Sequence, residues 1–158
     1  MRKFVVVVAL WTLSTAGQVS YGEQSDSASA RTGGFCNGRF WNVLDEQTKL
    51  AWVEAYSNGV TYAVLTTAVT ERGADPSRDQ AAVAAKIQSI FPSLTWGEVR
   101  KALDRFCDSP ENGPIPVPEA VRVLSMKVAG VPQAEIDKRI AHARKVAIET
   151  LQEESGKR

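Results

Sequence analysis

Three residues in this chain have side chains suited to covalent or acid–base chemistry: Cys36, Cys107 and the single histidine, His142. Cys36 lies in the stretch RTGGFCNGRFW, residues 31–41. Four roles are open to it: a lipid anchor, a nucleophile, a metal ligand or half of a disulfide. A lipid anchor stands directly after an apolar leader and small residues, whereas Cys36 follows Phe35 and lies far beyond the apolar run near the N-terminus. A nucleophile needs a base, and only His142 is on offer. A metal site needs more ligands at closer spacing than two cysteines and one histidine supply. A Cys36–Cys107 disulfide remains, the usual fate of two cysteines in an exported chain. It would close a loop of about 70 residues and contribute roughly 4 kcal/mol through the unfolded state.

His142 falls at the edge of an apolar helical stripe and reads as a surface histidine. The carboxylates Asp45, Glu46 and Glu54 read as helix caps and surface charge rather than an acid–base pair. The sequence contains no Gly-rich phosphate loop, G-x-S-x-G elbow or H-E-x-x-H helix. The expectation is therefore a non-enzyme with no catalytic residue, metal or cofactor. Trp41, Trp52 and Trp96 are expected as core or core-rim rings; with Tyr56 they form the alternative, a candidate binding surface for a protein or glycan. The PIPVP segment, residues 114–118, reads as a rigid connector, with a polyproline-II ligand as its alternative.

The elements that would position these residues begin after a leader. Residues 1–22, MRKFVVVVALWTLSTAGQVSYG, run basic, apolar, then small, the order of a signal peptide. The apolar run is about half the roughly 20 residues that span a bilayer. Cleavage after Ala16 or after Gly22 fits equally. Removing residues 1–22 takes the 19 basic residues to 17 against 18 acidic ones, a net charge of −1. That near-neutral balance excludes a general nucleic-acid or anionic-membrane binder. With no later apolar run of membrane-spanning length, no stable membrane insertion is expected after cleavage. Residues 23–34 are small and polar and are expected as a flexible leader, 35–152 as one helical domain, and 153–158 as a frayed tail.

Within the domain, Asp45 and Glu46 open a helix whose apolar positions Leu50, Val53, Tyr56, Val60 and Ala63 recur every three or four residues. Gly59 inside it predicts a close helix contact or a kink. The β-branched run 61–70 is read as helix because no partner strand exists. A second helix is expected from Asp75 or Ser77 to Pro92. Thr95 and Glu98 form a capping box for a third, with Leu94 and Val99 as a hydrophobic staple. Pro118 starts a fourth and Gly130 ends it. Ile136, Ile140, Ala143, Ala147 and Leu151 line a fifth. The fold class is all-α: a compact, irregular bundle of about five helices with one disulfide.

Several of these segments resemble exported, disulfide-bonded helical domains of the type VI amidase immunity (Tai-type) class. The resemblance rests on KLAWVEAYSNGV, with Tyr56 and Gly59; on the capped helix SLTWGEVRKALDRF; on the turn CDSPENGPIPVP; and on the helix EAVRVLSMKVAG. It covers about half the chain. Such domains often carry further cysteines that this chain lacks. The resemblance implies a helical domain that binds another protein outside the cytoplasm. A cell-wall-associated enzyme or accessory is the alternative, as is a small periplasmic acid-stress chaperone, another exported helical type with one disulfide. The oligomeric state is left open.

Overall fold

A computed structural model describes residues 30–72 and 80–157. The expected signal peptide, most of the leader and the start of the second helix lie outside the described residues. The described chain opens with a β-hairpin, β1 (Arg31–Thr32) and β2 (Phe35–Cys36), and continues through α1 (Gly38–Val43), α2 (Glu46–Arg72), α3 (Gln80–Ile90) and α4 (Trp96–Cys107). A 3-10 turn (Pro110–Asn112) then leads to α5 (Val117–Val128) and α6 (Gln133–Gly156). The all-α class holds, with six helices among the described residues rather than about five.

The capping expectations are met atom by atom. Asp45 accepts from the Thr48 N–H at 2.8 Å, closing the first turn of α2. The Thr95 hydroxyl accepts from the Glu98 N–H, and the Glu98 carboxylate accepts from the Thr95 N–H at 2.8 Å. Leu94 packs against the core and Val99 is buried in it. Gly130 takes φ +72° and stops α5; its N–H donates to Lys127 O and that of Val131 to Met126 O, a Schellman closure. Pro118 sits one place inside the start of α5, which begins at Val117.

α5 is the central element. It packs against α3, α4, α6 and β2, and buries Val117, Ala120, Val121, Val123 and Leu124. The one buried hydroxyl on this helix, Ser125, donates to Val121 O at 3.2 Å and so carries no unpaired polar atom into the core. Val99, Leu103 and Phe106 of α4 and Ile136 of α6 complete the core around it.

Several expectations need correcting. No Cys36–Cys107 disulfide is present: both cysteines are free thiols. Cys107 is buried with its sulfur pressed toward α1, where a Cβ on Gly38 would come within 3.3 Å of it. Cys36 is held on β2, opposite Arg31 in the hairpin register. Hydrogen bonds supply the tether the disulfide was expected to make: Asn42 Nδ2 donates to Cys107 O at 2.9 Å, linking α1 to the end of α4. Burial, with the charges of Asp104 and Asp108, pushes the Cys107 thiol up to about 12, against the opposing pull of Lys49. A thiol held protonated in this way is no nucleophile.

The expected flexible leader ends too late. Residues 31–34 belong to the hairpin, and Gly33 and Gly34 take φ +57° and +80°, the pair of positive values a two-residue type I′ turn demands. The tail does not fray at 153, since α6 continues to Gly156. The PIPVP segment is no exposed ligand: Pro114, Ile115 and Val117 are buried beneath the hairpin and α1. Gly59 makes no break in α2 and no close contact among the described residues, where a Cβ would meet nothing within 4 Å.

Candidate functional site

The aromatic residues nominated by the sequence do not form one surface. Trp41 is 1% exposed. Its ring meets the edge of Trp52 at 5.7 Å, and Trp52 stacks on Tyr56 at 5.0 Å with 9° between planes. Tyr56 then reaches Phe91 at 6.3 Å. This chain of rings joins α1, α2 and the segment after α3, so three of the four residues are cement between elements. Burial, then the charge of Glu119, raises the Tyr56 hydroxyl pKa above its ordinary value. Trp96 alone is open to solvent, at 43%, on the first turn of α4.

Beside Trp41 lies a polar hub. Asp104 accepts from Trp41 Nε1, Lys49 Nζ and Arg100 Nη1, each at 2.9 Å. Lys49 Nζ also stands 5.5 Å from the centre of the Trp41 ring. Desolvation pushes the Asp104 carboxyl up. The hydrogen bonds from Lys49 and Trp41, with the charges of Lys49 and Arg100, outweigh it and hold the pKa below the ordinary 3.8. A carboxyl whose pKa is depressed by folding stabilises the fold above its unfolded value, and the contribution is lost as pH falls through the folded one. Stability should therefore fall with acidification below about pH 4. Asp104→Asn should lower the urea midpoint at neutral pH by an amount equivalent to about 1–3 kcal/mol and flatten the acid limb. An equally steep limb in the variant, followed by urea unfolding from neutral to strongly acid pH, would reject Asp104 as its source.

A cleft with mixed lining lies elsewhere. A groove of about 260 Å³ runs between the hairpin and α6. Its floor includes the buried Ala143 and Ala147, small residues on the inner face of α6 that let the hairpin approach. Its lining includes Phe35, 59% exposed, and Val146, 44% exposed. Glu119 of α5 and Arg139 of α6 form an ion pair at the groove. The hydrogen bond that Arg139 Nε donates to Glu119, with the charge of Glu119, outweighs desolvation and raises the Arg139 pKa further. His142 is on the lining and exposed.

The hairpin that presents Phe35 is fixed from below. Thr32 is buried and its hydroxyl donates to Pro114 O at 2.7 Å. Asn37 Nδ2 donates to Thr32 Oγ1 at 3.1 Å, while Asn37 Oδ1 caps α1 by accepting from the N–H groups of Arg39 and Phe40. Thr32 and Phe35 are cross-strand partners and both line the groove, Thr32 buried and Phe35 59% exposed.

The sequence singled out His142 in this groove but missed Phe35, Val146, Glu119 and Arg139 as its companions. Gly33–Gly34 was the available signal, since a glycine pair between two short runs marks a hairpin. The carboxylates Asp45, Glu46 and Glu54 stay apart from the groove: Asp45 caps α2 and Glu46 pairs with Arg100. Among the described residues no group of three or more His, Cys, Asp or Glu side chains is placed to hold a metal, and no helix is long and apolar enough to cross a membrane. No known protein family, curated protein or solved structure matches the chain.

Proposed function

We propose that this is a non-catalytic protein-binding module, exported after cleavage of residues 1–22 or 1–16, whose contact site is the groove between the hairpin and α6. The observation that carries this reading is Phe35. A large aromatic side chain stands in water on a backbone held by buried hydrogen bonds through Thr32 and Asn37. An exposed aromatic on a rigid mount, beside an apolar floor, has the composition of a binding hot spot. The partner chemistry that fits is a protein segment placing an apolar side chain against Phe35 and Val146 and hydrogen-bonding groups against the Glu119–Arg139 pair.

The enzyme reading is weaker on these grounds. The carboxylate on the groove, Glu119, is committed to Arg139. The acid–base pair that a cell-wall hydrolase would require has no second carboxylate on the groove lining. The resemblance to Tai-type immunity domains agrees with a binding role outside the cytoplasm.

A photo-crosslinking side chain placed at Phe35 in the producing cell tests the proposal. It should yield a discrete adduct with one protein, weakened at least tenfold by Val146→Glu. The same probe at Lys101, exposed on α4, should not yield it. Identical adducts from both positions, or none from position 35, would refute the groove as the contact site.

A further inference from the structure

α2 carries a second surface, separate from the groove. Its inward stripe, Val53, Tyr56 and Val60, faces the core. Its outward stripe is Ala55, Asn58, Tyr62 and Leu65, all exposed, with Tyr62 at 73%. These four positions step by three, four and three residues, the spacing of the seam by which one helix packs along another. From residue 55 to residue 70 the sequence has no charged side chain. α3 packs alongside, has no buried residue of its own, and contributes Lys86 as the sole charge in its sequence QAAVAAKIQSI.

Gly59 lies within this outward stretch. A mid-helix glycine weakens a helix unless packing offsets the cost. Among the described residues Gly59 has no such packing, because a Cβ would meet nothing within 4 Å. A close approach by a second helix from another molecule would supply it.

We infer that the outward face of α2, widened by α3, packs against the same face of a second copy of this chain. Three arguments choose this occupant. A two-fold contact sets a patch against itself, so any charge near its axis would meet a like charge; an uncharged patch is complementary to itself. Partners that bind transiently keep charge at the contact for steering and register; residues 55–70 offer none, and α3 adds the single cation Lys86. A lipid surface would call for basic residues along the helix flank, and none occurs between residues 55 and 70. The size also fits. The stretch is about 24 Å long at 1.5 Å per residue, and two adjacent helices make it roughly 20 Å wide. That is on the order of 500 Å² in plan, at the lower end of what a stable dimer buries on each side once side-chain relief is counted. Gly59 then lies where two helix backbones approach.

The full chain, purified from the producing cell, should sediment at twice its chain mass at micromolar concentration. Tyr62→Glu and Leu65→Glu, each at an exposed site, should halve that mass with the helical circular-dichroism signal unchanged, whereas Lys101→Glu should leave it at two copies. Gly59→Ala discriminates further. In the Leu65→Glu monomer it should raise the melting temperature, since alanine favours helix. In the otherwise unchanged chain it should weaken self-association about tenfold, by placing a methyl group in a close helix contact. A chain that sediments as one copy would overturn the inference. So would a dimer indifferent to both glutamate variants, or flotation of the chain with phosphatidylcholine vesicles. None of these results bears on the groove, whose residues lie on other elements.

Discussion

Trp41→Ala should cost about 3–5 kcal/mol of folding free energy, the range for removing a buried indole. That is a large share of the 5–15 kcal/mol by which domains of this kind are stable. The ring fills the junction of α1, α2 and α4, contacts Trp52 edge-on, and donates its N–H to Asp104. Removal leaves a cavity and takes one donor from Asp104, while Lys49 and Arg100 continue to neutralise that carboxylate. Trp41→Phe separates the two contributions. It keeps most of the apolar volume and loses the hydrogen bond to a charged acceptor, a loss of about 1.5–3 kcal/mol. Urea unfolding followed by far-ultraviolet circular dichroism checks both. If phenylalanine were as damaging as alanine, the hydrogen bond and not the packing would hold this corner together.

The second large effect is expected at Asn37, a fully buried residue that makes bonds in three directions. Its Oδ1 caps α1, its Nδ2 holds Thr32, and its backbone N–H donates to Ala30 O. Asn37→Ala removes the cap, about 1 kcal/mol. It also leaves the buried Thr32 oxygen without its donor, a further 1–3 kcal/mol or so. The expected total is about 2–4 kcal/mol. Asn37→Asp should not rescue it. An aspartate can cap α1, but it cannot donate to Thr32 Oγ1, whose own hydrogen is committed to Pro114. Hydrogen exchange of amides 30–36 gives the local readout: protection should drop in both variants before the rest of the domain loosens. Protection unchanged in Asn37→Ala would mean the hairpin is held by other contacts.

The helical part of this architecture was legible because its punctuation is local. Asp45, the Thr95–Glu98 box and Gly130 with Pro132 each act within one turn of chain, so the sequence carries the whole signal. The β-branched run 61–70 was ambiguous on propensity, and helix wins there because α2 is already nucleated by Asp45. The N-terminal boundary was misjudged because its order comes from a distance. Residues 31–34 are small and polar, yet Thr32 is ordered by a carbonyl in the proline segment, which no local pattern announces. The same blindness explains the aromatic residues. Trp41, Trp52 and Trp96 look alike in sequence, and only the packing of α1 against α4 separates a buried ring from an exposed one. The cysteine pairing was inferred from compartment and number. Those considerations carry no geometry, and the backbone directs the two sulfurs to different surroundings.

The hairpin's dependence on distant residues also sets the order in which the chain can assemble. Thr32 and its acceptor on Pro114 are 82 residues apart; Trp41 and Asp104 are separated by 63, and Asn42 and Cys107 by 65. Closing loops of that length carries an entropic cost that is met only once the far side is in place. α4, the 3-10 turn and α5 are contiguous and meet one another over short stretches, so they can form the template first. The N-terminal strands are then the last to dock. A chain threaded through a pore from its N-terminus would keep residues 30–43 extended until the proline segment emerged behind them. Phe35 would come to its final position at the end of folding rather than at its start.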